Sequence, residues 1–328
     1  MQAQVLTQPR QVEEHPLQRV DRPLPEPGPD EVLIKVRACG VCHTDLHIVE
    51  GQIPLPRLPL VPGHQVIGVV ESGSAPLLPG TRVGVGWLNR TCGTCPFCRS
   101  GKENLCAEAR FTGYHVDGGF ASYLTAPREF LYTLPELFSD LEAAPLLCAG
   151  IIGYRALRLC GALSGERLAL FGFGASAHLT LQIARHRGLE VYVFTRSPAR
   201  RRQALELGAA WAGEAGETAP ALADRAILFA PAGHLIPQAL RALRRGGTLA
   251  IAVIYLDQVP RFDYRLLFEE RCIRSVTAST RQDGRDLLQA ASEVPVRVQT
   301  EPFTFGEANR ALSLMKTGDL QGAAVLIF

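Results

Sequence analysis

Residues 167–188, RLALFGFGASAHLTLQIARHRG, decide the architecture. The apolar run RLALF meets Gly172-Phe173-Gly174-Ala175-Ser176-Ala177, a G-x-G-x-x-A turn, and a segment with helical patterning follows to Gly188. The first glycine permits a tight turn, and the second lets the backbone approach a pyrophosphate. The small Ala177 allows close packing of helix on strand. The N-terminus of the helix favours the phosphate charge. Such a fingerprint is weak alone, so its setting matters.

The setting supports it. Downstream, EVYVFTR (190–196), RAILFAPAG (225–233), TLAIAVIY (248–255) and CIRSVTAS (272–279) read as strands. They alternate with the helical patterns SPARRRQALELG (197–208) and PQALRALRRGG (237–247), the latter closed by Gly246 and Gly247. This alternation predicts βαβ units and a doubly wound parallel sheet with helices on both faces. The strands are nearly free of polar residues, as burial on both faces requires. Upstream the character changes. EVLIKVRA (31–38), HQVIGVVE (64–71), TRVGVGWL (81–88) and GGFASYLTA (118–126) are short apolar runs broken by Pro and Gly, which predict antiparallel strands joined by turns. After about residue 279 come a helix over 283–293, a strand VPVRVQT (294–300), a second helix and a final strand AAVLIF. The fold class expected is α/β: a parallel-sheet domain over 150–278 and a mostly-β domain built from 1–149 and 279–328.

Composition bounds the function. The chain has 328 residues, 47% apolar and 20% charged, enough for two domains with their own cores. Thirty-four basic against 32 acidic residues leave no footprint for nucleic acid or an anionic membrane. No apolar run reaches the roughly 18 residues of a membrane span, and the polar start MQAQVLTQPRQ does not read as a signal peptide. A cytoplasmic protein is expected. Only Lys35, Lys102 and Lys316 are lysines, so arginine supplies the other 31 cations (34 − 3).

Nine cysteines are present, and Cys92, Cys95, Cys98 and Cys106 fall in CGTCPFCRSGKENLC, a C-x2-C-x2-C-x7-C spacing. Four thiolates on one short loop (about 90–108) can close a tetrahedron around zinc with no open position, a structural site. An iron–sulfur cluster uses the same ligand type. A nucleic-acid zinc ribbon would need two CxxC pairs about 15–20 residues apart, and that separation is missing. CGVCHTDLH (39–47) packs two thiols, two imidazoles, a hydroxyl and a carboxylate together; PGHQVIGVV carries His64 and APLLCAG carries Cys148. One cysteine of the first segment with His64 and Cys148 would make a Cys2His set, which suits a catalytic zinc with an open fourth position. The residues alone leave this second metal undecided.

The cofactor's ribose is read about 20 residues past the glycine turn, where an NAD protein places Asp or Glu. This chain has Thr195-Arg196-Ser197, with Arg200, Arg201 and Arg202 following. Hydroxyls and a guanidinium suit a 2′-phosphate, so NADP(H) is expected ahead of NAD(H).

The motifs CGVCHTD, PGHQ, the four-cysteine lobe, DGGF, LLCAG and the glycine turn together resemble the zinc-dependent alcohol dehydrogenases of the medium-chain dehydrogenase/reductase superfamily. Within it, the cinnamyl-alcohol-dehydrogenase-like bacterial branch is the most similar. The resemblance covers essentially the whole chain. It implies a Rossmann domain and a GroES-like catalytic domain, two zinc ions per chain, and a homodimer or homotetramer. It implies hydride transfer between a nicotinamide cofactor and an alcohol/aldehyde pair. By matched position, Cys42, His64 and Cys148 hold a catalytic zinc that acts as a Lewis acid on the alcohol oxygen. Cys92, Cys95, Cys98 and Cys106 hold the structural one. Thr44 takes the alcohol proton, His47 passes it towards solvent through the cofactor ribose, and Asp45 orients His64. Gln65 departs from the family's usual Glu; a neutral amide leaves the site about one charge more positive, which favours the alkoxide at lower pH and slows exchange. Trp87 and Ile48, with residues 51–58, are expected to line the alcohol side, and no cation there suggests a carboxylate substrate. A zinc-free quinone or enone reductase of the same superfamily would lack the dispersed ligands and the lobe. A non-enzymatic NADP- and zinc-binding redox sensor would need neither Thr44 nor His47.

Overall fold

The computed structural model describes residues 1–73, 76–294 and 296–328. The chain folds as two units. Residues 1–149, 278–289 and 298–328 form one, and 150–277 with 290–297 form the other.

The second unit is a six-stranded, wholly parallel sheet. Across the sheet the strands run Trp211–Gly213, Glu190–Phe194, Arg167–Phe171, Ala223–Leu228, Leu243–Ile251 and Cys272–Ser275. Numbered by appearance in the chain this is 3-2-1-4-5-6, the Rossmann order, with the reversal beside the Arg167–Phe171 strand. In both Arg167–Phe171 and Glu190–Phe194 every residue after the first is buried, because both faces are covered. Phe171 and Phe194 stack at 4.3 Å between neighbouring strands.

The helix expected over 237–247 ends at Ala242. Leu243 already pairs with Ala223, and residues 244–247 form a bulge before Thr248 pairs with Arg225, with Gly246 at φ +69°. The glycine pair therefore marks an irregularity within a strand rather than a helix cap. The strand expected over 294–300 is instead Thr300–Thr304, parallel to Ala323–Ile327; Pro295 lies outside the described residues. At Arg297 a side chain takes the place of a ladder: Arg297 N–H donates to Gln182 Oε1 (2.8 Å), and Gln182 Nε2 donates back to Arg297 O (3.1 Å). Residues 290–297, expected in the first domain, thus group with the second unit.

The first unit is built on a seven-stranded sheet. Its path is Thr300–Thr304, Ala323–Ile327, Glu31–Gly40, Gln65–Ser72, Arg82–Val85 and Leu131–Thr133, with Tyr123–Pro127 also paired to Glu31–Gly40. All pairs but the first are antiparallel. Along Glu31–Gly40, buried Val32, Ile34 and Val36 alternate with less buried Leu33, Lys35 and Arg37, the period-2 signature of a half-covered strand. These side chains join Val66, Phe120, Leu124 and Leu326 in one core. TRVGVGWL is two short strands rather than one, divided at Gly86 and Trp87. Among the described residues no helix is long and apolar enough to cross a membrane.

Candidate metal centres and cofactor turn

The strand Glu31–Gly40 delivers the chain to Cys42, which caps the helix His43–Val49. Asp45, three residues on, accepts the Cys42 N–H through Oδ2 at 2.9 Å, a capping interaction that satisfies one of the free donors at the helix start. Its other oxygen reaches a different segment: Oδ1 accepts from Gly63 N (3.0 Å) and from His64 Nδ1 (3.2 Å). Asp45 and His64 are both fully buried. A carboxylate only accepts, so Nδ1 of His64 carries a proton, and in the neutral ring Nε2 presents the lone pair that a metal would take. Nε2 lies 3.3 Å from Cys148 Sγ, and Cys148 Sγ lies 3.9 Å from Cys42 Sγ. Cys42, His64 and Cys148 thus converge, their donor atoms all within 4.8 Å of one another.

Two features hold this geometry. Cys148 stands in a π-helical turn, Leu146–Gly150, between the helices Asp140–Pro145 and Ile151–Leu159. Pro145 lacks the N–H an α-helix would use there, and such wide turns often mark functional positions. The DGGF turn backs the His64 segment: Gly118 N–H donates to Val61 O (2.8 Å) and Gly119 N–H to Gly63 O (2.8 Å). A Cβ on Gly118 would sit 2.0 Å from Gly63 O, so only glycine permits this approach. That supporting role of DGGF was not legible in the sequence.

The electrostatics suit a cation. Burial opposes charge on His64, but the Asp45 carboxylate pushes the imidazole up to about 10. The hydrogen bond from the Cys148 thiol, against burial, holds Cys42 well below its usual value, with His64 adding to the effect. Donating that hydrogen bond, together with burial, holds Cys148 well above it. Two soft sulfurs and one imidazole nitrogen are a zinc donor set with one tetrahedral position left over.

The second cluster is local. Sγ–Sγ separations are 3.5 Å for Cys95–Cys98 and Cys92–Cys106 and 3.9 Å for Cys92–Cys98. Ligands about 2.3 Å from a zinc ion lie roughly 3.8 Å apart along a tetrahedral edge, and a disulfide would need about 2.0 Å. All nine cysteines are free thiols. The backbone N–H groups of Thr94 and Cys95 bring Cys92 down to about 6.

The remaining expected residues take these places. Thr44 is buried, its Oγ1 3.7 Å from Cys42 Sγ. His47 is buried rather than on the surface, with Nδ1 hydrogen-bonded to Gln52 Oε1. Gln65 is buried; its backbone pairs with Gly40, and its side chain lies over that glycine. Trp87 meets His64 edge to face at 4.9 Å and stacks on Phe111 at 5.0 Å. Ile48 is fully buried in the core and offers no face to a substrate, contrary to expectation. Of the unassigned cysteines, Cys39 is core and Cys160 donates to Leu157 O at 3.2 Å, both buried, while Cys272 is exposed.

The glycine turn follows its strand directly. Gly172 has φ +90°, and a Cβ there would lie 2.9 Å from Ala230 N. Gly174 caps the helix Ala175–His186, with open space where its Cβ would stand, and Ala177 is fully buried against the sheet. Ala175 and Ser176 open the helix towards solvent. At the end of the second strand, Thr195 N–H donates to Gly213 O (2.8 Å), and Ser197 Oγ accepts from Arg200 N–H (3.4 Å) at the next helix start. Arg196 is exposed and Arg200 half-buried; among the described residues neither has an ion-pair partner, whereas Arg201 pairs with Glu214 at 3.0 Å.

Comparison with known proteins agrees with this geometry. Residues 28–136 match the alcohol dehydrogenase GroES-like domain, and residues 177–293 match the zinc-binding dehydrogenase domain. A probable alcohol dehydrogenase, AdhA, of Mycobacterium tuberculosis is 48% identical over the whole of this chain and 97% of its own. An alcohol dehydrogenase of Geobacillus stearothermophilus is 36% identical over 94% of each. A solved cinnamyl alcohol dehydrogenase of Sorghum bicolor superposes with TM-score 0.90 at 27% identity, over 99% of this chain and 97% of that one. The chain belongs to the zinc-dependent alcohol dehydrogenases of the medium-chain dehydrogenase/reductase superfamily, NAD(P)-dependent oxidoreductases of alcohols.

Proposed function

We propose that this enzyme interconverts a neutral, apolar or aromatic primary alcohol and its aldehyde with NADP(H), on a zinc held by Cys42, His64 and Cys148. The observation that carries the reading is the convergence of those three donors, with Asp45 fixing the His64 tautomer. When bound, zinc supplies Lewis-acid polarisation of the alcohol oxygen and the nicotinamide accepts the hydride. The rest falls to the chain's own groups. Thr44 Oγ1, near Cys42, accepts the alcohol proton, and His47 carries it towards solvent, a step suited to imidazole because its ordinary pKa lies near neutrality. Trp87, stacked on Phe111 and beside Tyr114, is an aromatic wall next to His64, which favours apolar and aromatic substrates in the manner of the cinnamyl-alcohol-dehydrogenase-like branch. Cys92, Cys95, Cys98 and Cys106 hold a second, purely structural zinc.

The NADP reading rests on Thr195, Arg196, Ser197 and Arg200. No carboxylate stands in that stretch to repel a 2′-phosphate, and two guanidiniums without ion-pair partners among the described residues stand ready to bind one. A panel of alcohols and aldehydes, assayed with both cofactors before and after zinc removal, tests the whole proposal. A higher kcat/KM with NADP(H), on neutral alcohols, lost with the metal, is expected. A clear NAD(H) preference refutes the cofactor assignment, and activity that survives complete loss of metal refutes the mechanism.

A further inference from the structure

Beyond the zinc ligands, the helix that carries Thr44 and His47 ends in an arrangement with chemical consequences. After Glu50 the chain turns at Gly51 (φ +70°), with Gly51 N–H donating to Ile48 O (3.1 Å) and Gln52 N–H to His47 O (2.9 Å). This is a Schellman closure, and it folds Gln52 back beneath His47. Gln52 then bridges two groups: its Oε1 meets His47 Nδ1, and its Nε2 donates to Glu50 Oε2 at 2.9 Å. The Glu50 side chain is 1% exposed, and its other oxygen accepts from Lys316 Nζ (2.7 Å) and Val12 N–H (3.2 Å). Lys316 is in turn held by Gln11 and Glu13, both at 3.0 Å.

The donor and acceptor roles along this chain follow from one fact: a carboxylate paired with an ammonium can only accept. Glu50 therefore requires the amide nitrogen of Gln52 to face it. The amide oxygen must then face His47, and an oxygen there can only accept from an N–H on Nδ1. We infer that Glu50 and Gln52 lock neutral His47 in its Nδ1–H tautomer, leaving Nε2 as the proton acceptor, so that Gln52 is a positioning residue for the proton path. This rests on the proposed role of His47 as proton carrier and adds to it which nitrogen does the work. The wrong tautomer would present an N–H where a lone pair is needed, and the proton could not be taken up without a prior exchange. The device repeats, at one remove, what Asp45 does directly to His64. Gln52 is exposed, so the lock costs little to the core when it is removed.

The test is made on the zinc-loaded, full-length enzyme labelled with 15N-histidine, the His47 resonances assigned by their loss in His47→Gln. Wild type is expected to show a protonated Nδ1 and an unprotonated Nε2. Gln52→Leu should move His47 towards the Nε2–H form and lower kcat by about 10- to 100-fold, at most the usual general acid–base contribution, with KM little changed. Gln52→Glu combined with Glu50→Gln, which keeps an acceptor facing Nδ1 without setting two carboxylates against each other, should restore the tautomer and most of the rate. A wild-type Nε2–H tautomer, or a tautomer unchanged in Gln52→Leu, overturns the inference. The relay reading is judged separately: His47→Gln as fast as wild type under conditions with a primary deuterium isotope effect would sink it, whatever the tautomer.

Discussion

Cys92, Cys95, Cys98 and Cys106 lie within fifteen consecutive residues and bring four sulfurs together, whereas Cys42, His64 and Cys148 are gathered across a separation of 106 residues and supply only three donors. The first set is mostly half-exposed, and backbone N–H groups help to hold its thiolates. The second surrounds a fully buried histidine and depends on a buried carboxylate for orientation. On the proposed assignment, one domain separates stability from chemistry. A closed local site needs nothing from the rest of the fold and can do nothing but hold its loop. An open site assembled from a strand end, a glycine-backed loop and a π-helical turn exists only when the domain has folded, and it leaves a position for a substrate.

Breaking each site in turn sharpens that contrast. The largest effect is expected from His64→Ala or Cys148→Ser, which should lower kcat/KM by at least about 10³-fold, given the several kcal/mol a Lewis acid supplies. Circular dichroism should remain that of the wild type. Cys95→Ser should do the reverse: a fall in Tm on the order of 10 °C as the lobe loses its metal, with turnover of the folded remainder within about twofold of wild type. A lobe variant that keeps its Tm but loses turnover would mean that the roles of the two sites are misassigned.

Asp45→Asn probes the orientation of the open site. Its affinity for zinc should weaken by about 10- to 100-fold, the usual effect of removing a histidine's partner, while the lobe keeps its metal. Competition with a chromophoric chelator measures both sites in one titration. The smallest effect is expected from Gln65→Glu. A restored negative charge disfavours loss of the alcohol proton, so the rising limb of the pH–rate profile for oxidation should move to higher pH. Superimposable profiles would remove Gln65 from the account.

The same division governs what could be read from the sequence. The four-cysteine lobe and the glycine turn are local patterns, and the structure places each within one short segment. The Cys2His set was visible only as scattered residues, and spacing could not choose between Cys39 and Cys42. In the structure Cys39 packs in the core near Gly119, and Cys42 is the one beside Cys148. Ile48 was expected to line the substrate side from the family resemblance, yet its place on the helix turns it into the core. RRGG looked like a helix end because a bulge within a parallel strand leaves no local signature of its own. VPVRVQT has strand-like alternation, but Gln182 competes for its backbone groups. Gln52 carried no signal, since its meaning depends on a carboxylate held by a lysine more than 250 residues away.

The central claim is that the two sites hold two metals with different work to do, and stepwise chelation followed by zinc analysis and assay on the same samples tests it most directly. About two zinc ions per chain are expected, one for each donor group. Loss of the metal at Cys42, His64 and Cys148 should abolish turnover while the circular dichroism spectrum stays unchanged. Full turnover in protein stripped of that metal, or a zinc content that never exceeds one per chain, would contradict the account.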